Sequence, residues 1–92
     1  VFHFIECLTQ AGVAAGLPQD IAAMLAMQTV YGAGALAATS TDTPSQLRIN
    51  VTSPNGTTAA ALEVLMGDNR LQNLVSEAVE AARNRSVELG KS

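Results

Sequence analysis

A chain of 92 residues with a formal charge of −3 and no run of Lys or Arg has the size of one small domain and lacks the basic footprint that nucleic acid or an anionic membrane surface requires. Hydrophobic residues make up 48% but aromatics only 3%, so small side chains carry the apolar count, and the core needs a partner to complete it. One cysteine excludes an internal disulfide, and no signal-type segment is seen, which makes a cytoplasmic setting the expectation.

Phe2, Ile5, Leu8 and Val13 recur at near-helical spacing with Glu6 and Gln10 opposite them. This predicts a first helix from Val1 to about Ala15, starting without an N-cap as a helix cut partway does, and stopped by Gly16 before Leu17-Pro18. His3 and Cys7 lie one helical turn apart, a spacing that two metal ligands can use. They are the only His and Cys present, so a four-ligand site would need a second copy. The simpler roles are an edge histidine and a small core thiol, and no metal is expected.

Pro18 in a first turn and Asp20 near the positive end of the dipole predict a second helix to about Ala38. Its apolar positions, Ile21, Met24, Leu25, Val30, Tyr31 and Leu36, almost encircle it once the alanines are added, which predicts burial nearly all round with Met24 and Met27 as core filler. Gly32 and Gly34 are expected to let another helix cross at close range. No apolar run is unbroken over the length of a membrane span, so no membrane partner is expected.

The polar break Thr39 to Asp42 leads into Thr43-Pro44, which predicts a short helix to about Asn50 with Leu47 and Ile49 inward and Arg48 a solvated charge. After Val51 to Gly56 a helix is expected over Thr57–Met66, packing through Ala60, Leu62, Leu65 and Met66 and ended by Gly67. Asp68 or Asn69 then caps a last helix to about Leu89, whose stripe is Leu71, Leu74, Val75, Ala78, Val79, Ala82 and Leu89. Glu77, Glu80, Arg83, Arg85 and Glu88 face water, with Glu80 and Arg83 spaced to pair. The class is all-α, four to five helices without a strand. Sequons begin at Asn50, Asn55 and Asn84, and none is read as glycosylated. There is no Ser-His-Asp set, no P-loop and no dinucleotide fingerprint.

The chemistry of the chain concentrates in Val51-Thr52-Ser53-Pro54-Asn55-Gly56-Thr57-Thr58. Pro54 presets φ for a turn, Asn55-Gly56 tolerates left-handed backbone, and a helix opens directly afterwards. The unpaired N–H groups of about Gly56 to Thr58 and the positive end of the helix can hold a carboxylate or phosphate without a basic side chain. Ser53, Thr57 and Thr58 add hydroxyls that select among anions. The plain alternative is a capped helix start and nothing more.

The order of elements resembles the C-terminal domain of pyrroline-5-carboxylate reductase over essentially the whole length. The resemblance is carried by Phe4-Ile5-Glu6, Ala15-Gly16-Leu17-Pro18, Gln28-Thr29-Val30, the turn Val51 to Thr58, Leu62-Glu63-Val64-Leu65 and Ala78-Val79-Glu80-Ala81-Ala82. It implies a helical dimerisation domain of the 6-phosphogluconate dehydrogenase C-terminal type, with two subunits interlocked as a homodimer and further assembly left open. An N-terminal Rossmann domain for NADPH or NADH would complete the enzyme and is absent from this stretch, which alone would be inactive. The implied reaction reduces 1-pyrroline-5-carboxylate to L-proline. Carried over by residue, Ser53 and the N–H groups of Gly56 and Thr57 would hold the substrate carboxylate, and the catalytic Thr58 hydroxyl would bond and orient the ring nitrogen. Asn55 stands where the family motif has its first glycine, which puts an amide beside the substrate pocket. The turn Gly67-Asp68-Asn69-Arg70 replaces a glycine pair and an aromatic. The alternatives are a stand-alone helical dimerisation module without catalysis and a related imine reductase.

Overall fold

The computed structural model describes residues 1–91. It contains α1 (Phe2–Ala14), α2 (Gln19–Thr39), α3 (Pro44–Asn50), α4 (Thr57–Met66) and α5 (Arg70–Gly90), with a tight turn at Gly67–Asn69 and no strand among the described residues. The chain forms two units, Val1–Leu47 and Arg48–Ser92, and the first is an α1–α2 hairpin while the second is built on α4 and α5. Class and element order are those expected. The start of α2 moves one residue because Pro18, at ψ 150, is extended and serves as the N-cap residue.

The α1–α2 connection is dictated by Gly16. At φ 113 it adopts a backbone that L side chains rarely take, its N–H donates to Val13 O and the Leu17 N–H donates to Gly12 O. This is the Schellman arrangement, and it satisfies carbonyls that the end of α1 would otherwise leave open. It also lays Leu17 back over Gly12, where an added Cβ would stand 3.4 Å from Leu17 Cδ1 and 3.2 Å from Ala22 Cβ. Gly12 is therefore the point of close helix approach. Gly32 and Gly34, expected to fill that role, have open space around them in this chain.

Only a narrow seam is covered in this unit. Ala22 (2% exposed) and Ala26, one turn apart on α2, are buried, as is Thr9 of α1, whose hydroxyl donates to Ile5 O. The expected burial all round α2 is not found: Met24, Met27, Leu36 and Tyr31 (71% exposed) lie open, because a single helix can cover only one side of another. Two compact bodies of half the mass each would together expose about 6,100 Å² by the scaling of surface with mass, whereas the chain exposes 7480 Å². α2 has 21 residues and a mean hydropathy of 1.5 over an 18-residue window, long and apolar enough to cross a membrane, since alanines carry it past its polar interruptions.

In the second unit α4 and α5 are joined by two successive left-handed residues, Asp68 (φ 55) and Asn69 (φ 54), while Gly67 takes φ −57 and ψ 132. Short polar side chains make Asp and Asn the non-glycine residues most tolerant of that conformation. Gly67 thus ends α4 without positive φ, and neither Asp68 nor Asn69 caps α5 with its side chain. Leu71, Leu74 (63% exposed), Val75, Val79 and Leu89 all lie open on α5. The ion pair on that helix is Arg85–Glu88 at 2.9 Å in place of the expected Glu80–Arg83. Arg48 is half-buried, not a solvated charge, and lines a cleft of about 460 Å³ with Leu62, Leu65, Met66, Leu71 and Val75, while Ile49 turns outward.

Gly16→Ala is expected to lower the unfolding free energy by about 1–2 kcal/mol, because alanine resists the left-handed side of φ. A fall in the urea midpoint at unchanged m-value would show it. An unchanged midpoint would mean that the hairpin does not depend on this residue.

Candidate functional site

The site begins where α3 closes. Thr52 ends that helix with its hydroxyl donating to Arg48 O and its N–H to Ile49 O at 3.1 Å, and the chain then enters the turn Ser53-Pro54-Asn55-Gly56. The Gly56 N–H donates to Ser53 O at 3.0 Å, and Asn55 sits at φ 59. Proline second and a positive-φ residue third is the type II pattern. Gly56 itself is extended (φ −86, ψ −177), so its need for glycine is spatial: a Cβ there would meet Ser53 O at 3.2 Å and Ser53 Cβ at 3.3 Å. The left-handed backbone expected of the Asn55-Gly56 pair is therefore taken by Asn55 alone.

Gly56 is the N-cap of α4, and no side chain caps the helix. The first helical bond runs from the Ala60 N–H to Gly56 O at 3.2 Å, which leaves the N–H groups of Thr57, Thr58 and Ala59 without a helical acceptor. The hydroxyls of Ser53, Thr57 and Thr58 and the amide of Asn55 form no hydrogen bond among the described residues. Thr58 is half-buried, and Ser53, Asn55 and Thr57 are exposed. No ionisable side chain lies between Val51 and Leu62, so an anion here would be held by amides, hydroxyls and the helix dipole alone.

Two corrections follow for the expected site. The Gly56 N–H is committed to Ser53, so the open amides run from Thr57 to Ala59, one residue later than the sequence suggested. The Ala59 amide lies outside the expected set, and its signal is the position of the N-cap, which depends on φ at Asn55 and Gly56. The plain reading, a capped helix start and nothing more, has its N-cap at Gly56, without a side-chain hydrogen bond to the helix. His3 and Cys7 do meet, but within one exposed turn: Cys7 Sγ is 3.5 Å from His3 Nε2, and His3 Nδ1 is 3.0 Å from Glu6 Oε1. Both ring nitrogens are engaged locally, and the described residues hold no cluster of three or more His, Cys, Asp or Glu suited to a metal.

The model of a family described as pyrroline-5-carboxylate reductase dimerisation matches residues 1–89. The chain belongs to that family. Pyrroline-5-carboxylate reductase of Synechocystis sp. is 48% identical over 95% of this chain and 32% of its own length. The Pisum sativum protein of that name is 46% identical over 97% of this chain and 32% of its own length. Among solved structures, Plasmodium falciparum pyrroline carboxylate reductase with NADP bound superposes with a TM-score of 0.86 at 38% identity, covering 92% of this chain and 32% of that one. The chain therefore spans about a third of the length of the curated relatives it matches.

Gly56→Ala is expected to destabilise the second unit by about 1–3 kcal/mol through overpacking against Ser53. Asn55→Gly, which relieves the left-handed position, should raise stability by about 1 kcal/mol. Thermal unfolding of the two variants beside the parent checks both, and equal melting temperatures would remove the close approach at Gly56 as a constraint.

Proposed function

We propose that this chain is the part of a pyrroline-5-carboxylate reductase that pairs two subunits and grips the substrate carboxylate, within an enzyme that reduces 1-pyrroline-5-carboxylate to L-proline. What supports the grip is one observation: α4 begins with three open amides, the hydroxyls of Ser53, Thr57 and Thr58 make no hydrogen bond, and no side chain among the described residues fills these amides. A carboxylate accepts several N–H bonds at once, and the helix dipole favours its charge. Ser53 and the amides from Thr57 onward hold the carboxylate. The Thr58 hydroxyl orients the ring nitrogen, as a positioned donor and not as a strong acid. Asn55 lies beside this pocket and narrows it.

NADPH or NADH supplies the hydride in such a reaction. The described residues contain no strand and no glycine-rich strand-to-helix turn, so nothing in this stretch fits the nucleotide. Its place is assigned to a part of the protein outside this stretch. Pairing is supported by the open apolar faces of α2 and α5, which a second copy would cover as a homodimer. The same pairing accounts for the apolar length of α2 without a membrane. A cytoplasmic setting belongs to this assignment, in keeping with the free thiol of Cys7.

In the full-length enzyme, Ser53→Ala should raise KM for 1-pyrroline-5-carboxylate about tenfold and leave kcat near the parent value, the loss of one hydrogen bond to a charged group. Thr58→Ala should lower kcat about tenfold while the protein remains dimeric by sedimentation. Unchanged kcat for Thr58→Ala would remove its orienting role, and a stable monomer at micromolar concentration would remove the pairing.

A further inference from the structure

Asn55 is the only asparagine of the chain followed by glycine; Asn50, Asn69, Asn73 and Asn84 precede Val, Arg, Leu and Arg. It stands exposed on the turn before α4, whereas Asn50, Asn73 and Asn84 lie within helices. Helical backbone holds a side-chain amide away from the ring geometry that its own chain would otherwise allow, and a following residue with a Cβ crowds it further. Neither obstacle exists at Asn55. We propose that Asn55 is a site of spontaneous deamidation that closes the carboxylate cradle, an inference that rests on the carboxylate role assigned to the turn above.

The chemistry balances with water as the only co-reactant. The Gly56 nitrogen, losing its proton to base, attacks Asn55 Cγ. The N–Cγ bond forms, the Cγ–Nδ2 bond breaks, and the amide nitrogen takes up a proton and leaves as ammonia. Water then opens the five-membered imide, adding hydroxyl to one carbonyl carbon and a proton to the ring nitrogen, which yields aspartate or isoaspartate at position 55. Either product puts a negative charge two residues before Thr57, on the turn that leads into the open amides at the positive end of α4, and that charge competes with an incoming anion. Isoaspartate also adds a backbone carbon to the turn that Ser53 and Gly56 close.

The structure contains a gate on this reaction. The attacking nitrogen is the one whose N–H donates to Ser53 O at 3.0 Å, so attack waits on opening of the turn. A carboxylate bound to the cradle favours the closed turn by mass action and slows the reaction.

The test ages the full-length enzyme at mildly alkaline pH with and without saturating L-proline, and follows each asparagine by peptide mass mapping and isoaspartate detection. Deamidation should appear at Asn55 ahead of the other four, more slowly with L-proline present. KM for 1-pyrroline-5-carboxylate should drift upward in the aged parent and stay constant with time in Asn55→Gly. Asn55→Asp should raise KM at least about fivefold, the scale of one like-charge contact at about 4 Å in bulk water, and more where the turn is shielded from solvent. Asn55 deamidating no faster than Asn69 would overturn the proposed modification whatever the turn binds. Deamidation at Asn55 with KM unchanged in the aged enzyme and in Asn55→Asp would overturn the closing of the cradle. The Ser53→Ala result above separates that outcome from a failure of the carboxylate assignment itself.

Discussion

One short bond organises the region that matters most: the Gly56 N–H on the carbonyl of Ser53. It closes the turn, sets Asn55 left-handed and leaves Gly56 extended, and the extended Gly56 makes Thr57 the first helical residue. A hydrogen bond of this kind is worth only about 1 kcal/mol net. Its persistence depends on two neighbours, Pro54 with its fixed φ and Gly56 with no Cβ to strike Ser53. Given those, three amides at the positive end of α4 have no acceptor among the described residues. The affinity for an anion proposed above would come from backbone geometry, since no ionisable side chain lies between Val51 and Leu62.

The second constraint is the shortage of cover. Each unit is a helical hairpin, and a hairpin buries one seam. In the first unit that seam is Thr9, Gly12, Ala22 and Ala26, where residues small enough for close approach meet. In the second, no described residue is fully buried, and the leucines and valines of α5 stand open. Open faces of this extent are unusual on a monomer and ordinary on a subunit whose fold is finished by its partner. The membership of a dimerisation family and the exposure of these faces point the same way. So does α2, apolar enough in composition for a lipid phase yet carrying Asp20, Gln28 and Tyr31 along its length.

Much of the architecture is written in local sequence. The bounds of α4, the stop at Gly16 and the long α5 follow from local signals, because a helix start, a left-handed stop and an apolar stripe are each written within a few residues of where they act. The failures share a cause as well. Within this chain Gly12 meets another helix while Gly32 and Gly34 meet nothing, since which glycine makes that contact depends on the angle at which the hairpin folds back. The Arg85–Glu88 pair formed instead of Glu80–Arg83 although both have the same spacing, and spacing alone does not choose between them.

The site divides in the same way. From residue types alone came the turn, the helix that follows it, the three hydroxyls and the family they resemble, all properties of contiguous sequence. Which amides remain open was settled by folding, because the hydrogen bond that removes Gly56 and the one that begins α4 at Ala60 are mutually dependent, and no list of propensities says which of two adjacent residues will take the left-handed backbone. Asn55 took it, Gly56 did not, and the open amides moved one residue along the chain.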